Sequence, residues 1–557
     1  MSPAAAIAAQ RQTQREPEHK CTWQQQSVAL VRTVAEQSVA VAQLQDKVAD
    51  QARIIDLLNQ QLHGKKSEKL PRPEEALRKR GDVAKITPED LKKKRADGRK
   101  WKEELPVEDS VCPLPANLPT CPECKCVPSI PATPEVSFTT ELVPERLKRI
   151  RHIIEKVKCK CGCTVVTAPP PARVGEQGQY GPVLAADVVV KKCCDSLAIE
   201  RIATQFRRMG LHLSPSTLLD LFHTVARVGE PLYKALVAGV QTQALVLADE
   251  TRIQVQQKGK TRRAWMWVFI AGDSIVYVFS PSRSGETPVA VLGASKGTLV
   301  VDAYTGYNQV TKPADRERGG CMAHGRRGVF AALKYAPSMQ VCLDLILDLY
   351  KVEHDARAAG IVGTAAHGTM RRERSTPIMD KLHAWLTAEQ PLHLPKSPAG
   401  EAVGYMLNQW DHLKVFLGNP KAPLDNNASE RALRVVARGR DSYLFIGNDE
   451  AGRNLATLLT LVHSAQACGK NPRDYLADVL IRLPDYKASR LAELLPQNWQ
   501  SPVERALAVA AAAVPEAAAL PAAVAAPAAA TASAVAAAPA VAAVRAPAAA
   551  AAVNDST

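Results

Sequence analysis

Two short apolar runs in this chain each stop at an aspartate, and few folds can use that pattern twice. Residues 245–248 read Leu-Val-Leu-Ala and lead into Asp249; residues 299–301 read Leu-Val-Val and lead into Asp302. Runs this short, apolar on both faces, suit strands in the middle of a sheet. LVLADETRIQVQ, RRAWMWVFIAG and SIVYVFS read as three successive strands, with KGK and GD turns of hairpin chemistry between them. SGETPVAVLGA then reads as a helix, and GTLVVDAYTGYNQ as a fourth strand ending at Asp302.

Three antiparallel strands, a helix and a strand returning beside the first is the order of a ribonuclease H-like sheet. It sets Asp249 and Asp302 side by side. A third carboxylate, Glu430, falls in the first turn of a helix predicted within DNNASERALRVVARG, capped by Asn426 or Asn427 and ended by Gly439. The helix dipole there favours the ionised carboxylate. Two strand-end aspartates and a helical glutamate suit a divalent-metal phosphoryl-transfer site, in which two Mg²⁺ or Mn²⁺ ions about 4 Å apart hold the attacking and leaving oxygens. Glu250 belongs on the opposite face of its strand, because side chains alternate, and is not expected to be a ligand. Taken singly, acids at strand ends are ordinary solvated turn residues; the three in fold order carry the reading.

The partner class follows from charge. The 557 residues carry a formal net charge of +15, which favours a polyanion, nucleic acid before an anionic membrane surface. The 13 cysteines, several crowded in CPECKC and CKCGC, do not form a disulfide framework and point to a reducing compartment. No signal-peptide core or membrane-length apolar span is seen, so the expected location is the cytoplasm, at the nucleoid when DNA is bound.

The organisation expected is multidomain α+β. After a disordered start (1–26), residues 27–66 repeat apolar positions in steps of four and three, the 3.5-residue period of a coiled coil and of self-association. An amphipathic helix docked on its own protein is the plainer alternative. A basic linker (67–110) follows, whose charge run is also what a solvated face carries. A zinc-ribbon-like segment (111–170) offers Cys121 and Cys124 at knuckle spacing, with Cys159 and either Cys161 or Cys163 completing a Zn²⁺ set; free thiols are the alternative. Residues 171–240 form a helical, helix-turn-helix-like region. IERIATQFRRMG ends at Gly210, and Ser214-Pro215 starts the next helix. The catalytic domain occupies 241–320 and 423–490, around an α-helical insertion at 321–422 whose apolar residues fall at helical spacing. A low-complexity Ala/Pro tail (491–557) closes the chain. His324, Arg326 and Arg327, in CMAHGRR, and Arg431 and Arg434, beside Glu430, are candidate DNA-phosphate contacts; for the first three, packing and capping are the alternative.

LADET, VVDAYTGYN, CMAHGRR, DNNASERALR and SYLFIGND…AGRNLATLLTLVHSA…GKNPRDYL together resemble the insertion sequence 66 family of bacterial DDE transposases. LLNQQLHGKKSEKL, the cysteine pairs and LHLSPSTL are similar to that family's coiled coil, zinc-binding segment and DNA-binding region. The resemblance spans about residues 50–485 and leaves the tail outside. It implies that Asp249, Asp302 and Glu430 are the metal-binding triad, that the catalytic domain is ribonuclease H-like, and that the activity is DNA transposition. It also implies small accessory proteins of the same element as partners. The competing readings are a non-catalytic or decayed DNA-binding protein and a structure-specific nuclease of the same fold.

Overall fold

The computed structural model describes residues 31–34, 37, 71–83, 89–90, 146–158, 165–168, 173–174, 179–312 and 316–513. The zinc candidates Cys121, Cys124, Cys159 and Cys161 lie outside these, as does most of 27–66. The described residues form a mixed α/β structure around one mixed sheet. Residues from 499 onward form a separate unit, of which the helix Pro502–Ala513 is described. Among the described residues no helix is long and apolar enough to cross a membrane.

Helix α1 (Pro73–Arg80) comes first, then a small antiparallel pair, β1 (Lys156–Lys158) and β2 (Val165–Thr167). Helices α2 (Pro182–Cys193), α3 (Ile199–Arg208) and α4 (Pro215–Gln241) follow. Gly210 after α3 has φ +86°, and the Ser214 hydroxyl accepts from the Thr217 amide at the start of α4. The turn and cap chemistry in the sequence is thus realised. Helix α4 runs on through Pro231 and lies against the sheet, where the Tyr233 hydroxyl donates to the Tyr277 carbonyl.

The sheet itself is β3 (Leu245–Gln257), β4 (Lys260–Ala271), β5 (Ser274–Ser280), β6 (Gly297–Val300) and β7 (Arg316–Gly319), in the order β5-β4-β3-β6-β7. The first three are antiparallel, with Gly259 and Gly272 at left-handed φ in the two turns. Helix α5 (Glu286–Leu292) crosses over so that β6 runs parallel to β3, and β7 parallel to β6. The fourth strand is therefore shorter than the sequence suggested. It ends at Val300, and the segment after Asp302 is a 3₁₀ turn, Thr305–Gln309. Strand β7 was not anticipated: its Arg-Glu-Arg-Gly has no apolar pattern. Its buried arginines donate mainly to backbone carbonyls instead. Arg316 donates to the carbonyls of Gln241 and Gln243 and to the Ser295 hydroxyl, at 3.2, 2.9 and 2.9 Å.

Beyond β7 come helices α6 (Met322–Ala332), α7 (Met339–Ala358), α8 (Thr376–Glu389) and α9 (Pro398–Asn408). Ile346, Leu382, Leu386, Val403 and Met406 are fully buried between them. Each such side chain is worth about 1.5–3 kcal/mol of burial. Helix α1, in the region expected to be a linker, docks here: Leu77 is buried and Arg80 pairs with Asp348 at 2.5 Å. The chain returns to the sheet as α10 (Asn427–Tyr443), followed by α11 (Asp449–Ala467) and α12 (Pro472–Arg482). Gly439 does not end α10. It is buried within it, where a Cβ would stand 2.3 Å from the Tyr443 hydroxyl, and the helix stops at Leu444 with φ +61°. Along α11, Thr460 and Ser464 lie one turn apart, and their hydroxyl oxygens accept from the amides of Tyr277 and Ile275 at 2.8 and 3.0 Å. The outer edge of β5 is closed in this way.

Candidate active site

Strand register brings the two aspartates together. Leu247 on β3 pairs with Val300, the last residue of β6. Two residues further along each chain stand Asp249, still within β3, and Asp302, just past β6. Asp249 is thus at the end of the parallel pairing with β6 rather than at a strand end, because β3 continues for eight more residues against β4, with a bridge to Ile446 on its other side at Val255. The Asp249 carboxylate accepts from the Glu250 amide and that of Asp302 from the Tyr304 amide, each at 2.9 Å. Burial, and then the neighbouring charges of Glu250, Asp302 and Glu430, push the Asp249 carboxyl up to about 7.

Asn426 attaches the third acid to this pair. It stands at the N-cap position of α10, but its side chain does not cap the helix. Instead its amide nitrogen donates at 2.7 Å to the carbonyl of Ala248, the residue before Asp249. Its backbone amide donates at 3.2 Å to the Cys321 sulfur at the start of α6. One buried asparagine therefore binds the glutamate's helix both to the aspartate's strand and to the helix of His324 and Arg327. The Asp302 segment has its own anchor: buried Arg318 on β7 donates to the carbonyls of Asp302 and Tyr304, at 2.6 and 2.8 Å, and to Asn308.

The family model described as Transposase IS66 family matches residues 177–454, and a second, IS66 C-terminal element, matches residues 460–497. The chain belongs to the IS66 transposase family. Three relatives from Sinorhizobium fredii are similar to it. The uncharacterized protein y4hP is 28% identical over 446 residues, 75% of this chain and 80% of that protein. The uncharacterized protein y4jD is 31% identical over 389 residues, 66% of this chain and 75% of that protein. The uncharacterized protein y4qI is 28% identical over 358 residues, 60% of this chain and 66% of that protein.

In this IS66-family chain Glu430 is turned toward Arg327 and His324. Arg327 donates to both of its oxygens, at 3.2 and 3.3 Å, and His324 Nδ1 stands 3.8 Å from Oε1. Among the described residues no three His, Cys, Asp or Glu side chains already stand close enough to cage a metal ion. The donor set nonetheless has the character a divalent ion needs. The charges of Asp302 and Glu430 act on Asp249, and two buried polar atoms, Asn426 Oδ1 and His324 Nδ1, have no hydrogen-bond partner among the described residues. Arg431 and Arg434 are exposed on the outer side of α10, open to a partner. Arg326 is not: it is buried and donates to the Pro71 carbonyl, holding the segment that leads into α1.

Residues that sequence reasoning passed over support the site from behind. The Glu250 side chain, fully buried, accepts from Arg283 at 2.6 and 2.9 Å and from the Tyr307 hydroxyl at 2.6 Å. Burial raises its carboxyl above the ordinary range, opposed by those hydrogen bonds. Arg283 lies over the Tyr304 ring at 4.0 Å, and Tyr304 donates to the Arg283 carbonyl. The loop carrying Asp302 is thereby fastened to the far face of β3. The two tyrosines in VVDAYTGYN were the available signal.

Proposed function

We propose that the chain is a DDE transposase that cuts and joins DNA with Asp249, Asp302 and Glu430 as its metal-holding acids. The observation that carries this is the Asn426 bond to the Ala248 carbonyl, which ties the helix of Glu430 to the strand of Asp249. Membership of the IS66 transposase family supports the activity, and the strand order supports a ribonuclease H-like catalytic domain. Bound Mg²⁺ or Mn²⁺, two ions in this reading, would supply Lewis-acid stabilisation of the leaving oxygen and a more nucleophilic attacking hydroxyl. The chain's own residues do the rest. Arg318 and Asn426 hold the backbone that presents the acids, and the Glu250–Arg283 pair keeps the Asp302 loop from drifting. Exposed Arg431 and Arg434, with His324 and Arg327 beside the acids, meet phosphate oxygens at the end of α10 where its dipole already favours anions. Element ends and target DNA are the substrates. Self-association through residues 27–66, a structural Zn²⁺ at Cys121, Cys124, Cys159 and Cys161 or Cys163, and small accessory proteins belong to the same reading.

The test is cleavage and strand joining on duplexes bearing the element's own ends, with Mg²⁺ or Mn²⁺. Wild type is expected to produce joined products, and Asp249→Ala, Asp302→Ala and Glu430→Ala none above background. Equal activity in all four would remove these acids from the mechanism. Cleavage without joining would favour a nuclease.

A further inference from the structure

We propose that Arg327 is an exchangeable counter-charge for Glu430, holding the carboxylate in the metal-free chain and giving it up when a divalent ion binds. The inference rests on the reading of Glu430 as a metal-holding acid and adds the group that competes for it. Three observations lead to it. Arg327 projects from α6 with its side chain 56% exposed, so packing does not demand a charge there; both of its hydrogen bonds go to Glu430. Glu430 is only 25% exposed, so its charge has limited access to water and needs a cation of some kind. His324 Nδ1 stands 3.8 Å from the same carboxylate and is buried without a hydrogen-bond partner among the described residues. A guanidinium donates and cannot ligate, so it satisfies Glu430 while leaving the imidazole unmet. A divalent ion would satisfy both. The two arrangements exclude each other at one carboxylate, and the Cys321–Asn426 contact keeps the starts of α6 and α10 together in either.

Competition of this kind has a direct readout that does not require catalysis. Mn²⁺ binding to the full chain is followed by electron paramagnetic resonance in wild type, Arg327→Gln, Arg327→Lys and Arg431→Gln. The last removes an exposed positive charge beside Glu430, controlling for the general field. An ion pair this exposed stabilises by at most about 1 kcal/mol, so Arg327→Gln is expected to bind Mn²⁺ about three- to fivefold tighter. Arg327→Lys should fall between it and wild type, and Arg431→Gln should move less than twofold. Arg327→Gln no tighter than Arg431→Gln would overturn the exchange. If Asp249→Asn still abolishes Mn²⁺ binding in that case, the triad reading survives without it. Should Mn²⁺ bind none of these proteins, both ideas fail together.

Discussion

Asp249→Asn should stabilise the metal-free chain, and only at neutral or alkaline pH. A carboxyl held near 7 in the folded chain takes up protons more readily than the 3.8 of an ordinary aspartate. The folded state therefore binds more protons than the unfolded one between those values, and acid favours folding through this group. That contribution is fully present below pH 4, declines as pH rises, and is gone above 7, where the buried site must carry the charge. Taken at face value the shift costs the ionised chain about 4 kcal/mol. Asp249 keeps part of its surface in water, so screening reduces the cost to about 1–2 kcal/mol. Asparagine keeps the oxygen that accepts from the Glu250 amide and never ionises. Thermal unfolding in a chelator should then show Asp249→Asn melting about 2–4 °C above wild type at pH 8 and level with it at pH 4.5. Adding Mn²⁺ should raise the wild-type melting point and leave the variant where it was. No gain for the variant at pH 8, or an equal gain at both pH values, would refute this electrostatic cost at Asp249.

Two further substitutions test the scaffold. Asn426→Ala removes the bond to the Ala248 carbonyl and leaves that buried oxygen unpaired, which should cost about 1–3 kcal/mol in unfolding free energy and lower Mn²⁺ affinity as the helix of Glu430 loosens; unchanged Mn²⁺ affinity would mean Asn426 serves stability alone. Gly452→Ala places a methyl about where the Phe279 ring stands, 2.5 Å from its nearest atom, and should cost about 1–3 kcal/mol in a denaturant titration without changing Mn²⁺ affinity.

What could be read in advance follows from what each residue's surroundings supply. The runs before Asp249 and Asp302 were legible because a strand covered on both faces leaves a continuous apolar signature, and the Ser214-Pro215 start of α4 because capping is a local exchange of hydrogen bonds. Strand β7 was not. Its arginines are buried by donating to carbonyls of residues far along the chain, and no local pattern records that. The same holds for Asn426, which looked like a helix cap and proved to be a bolt to another element. Arg326 and Arg327 are adjacent and chemically identical. One is buried on Pro71 and the other reaches Glu430, a difference made by helical phase and by the docking of α1. Gly439 appeared to be a stop signal, yet the helix needs it there to admit the Tyr443 hydroxyl.

The pair of hydroxyls that α11 extends to β5 has a bearing on how copies of this chain can meet. A bare strand margin invites a neighbour's strand and, with it, disordered stacking. Here the Ile275 and Tyr277 amides are already occupied, and β3 beyond β6 is met by Ile446, whose amide and carbonyl bond to Gln254 and Gln256. At these points the backbone is already bonded within the chain. At these points any contact with a second copy falls to side chains, whose contacts can be specific and reversible. A chain cut short before Asp449 would bare the β5 margin and tend to precipitate rather than pair.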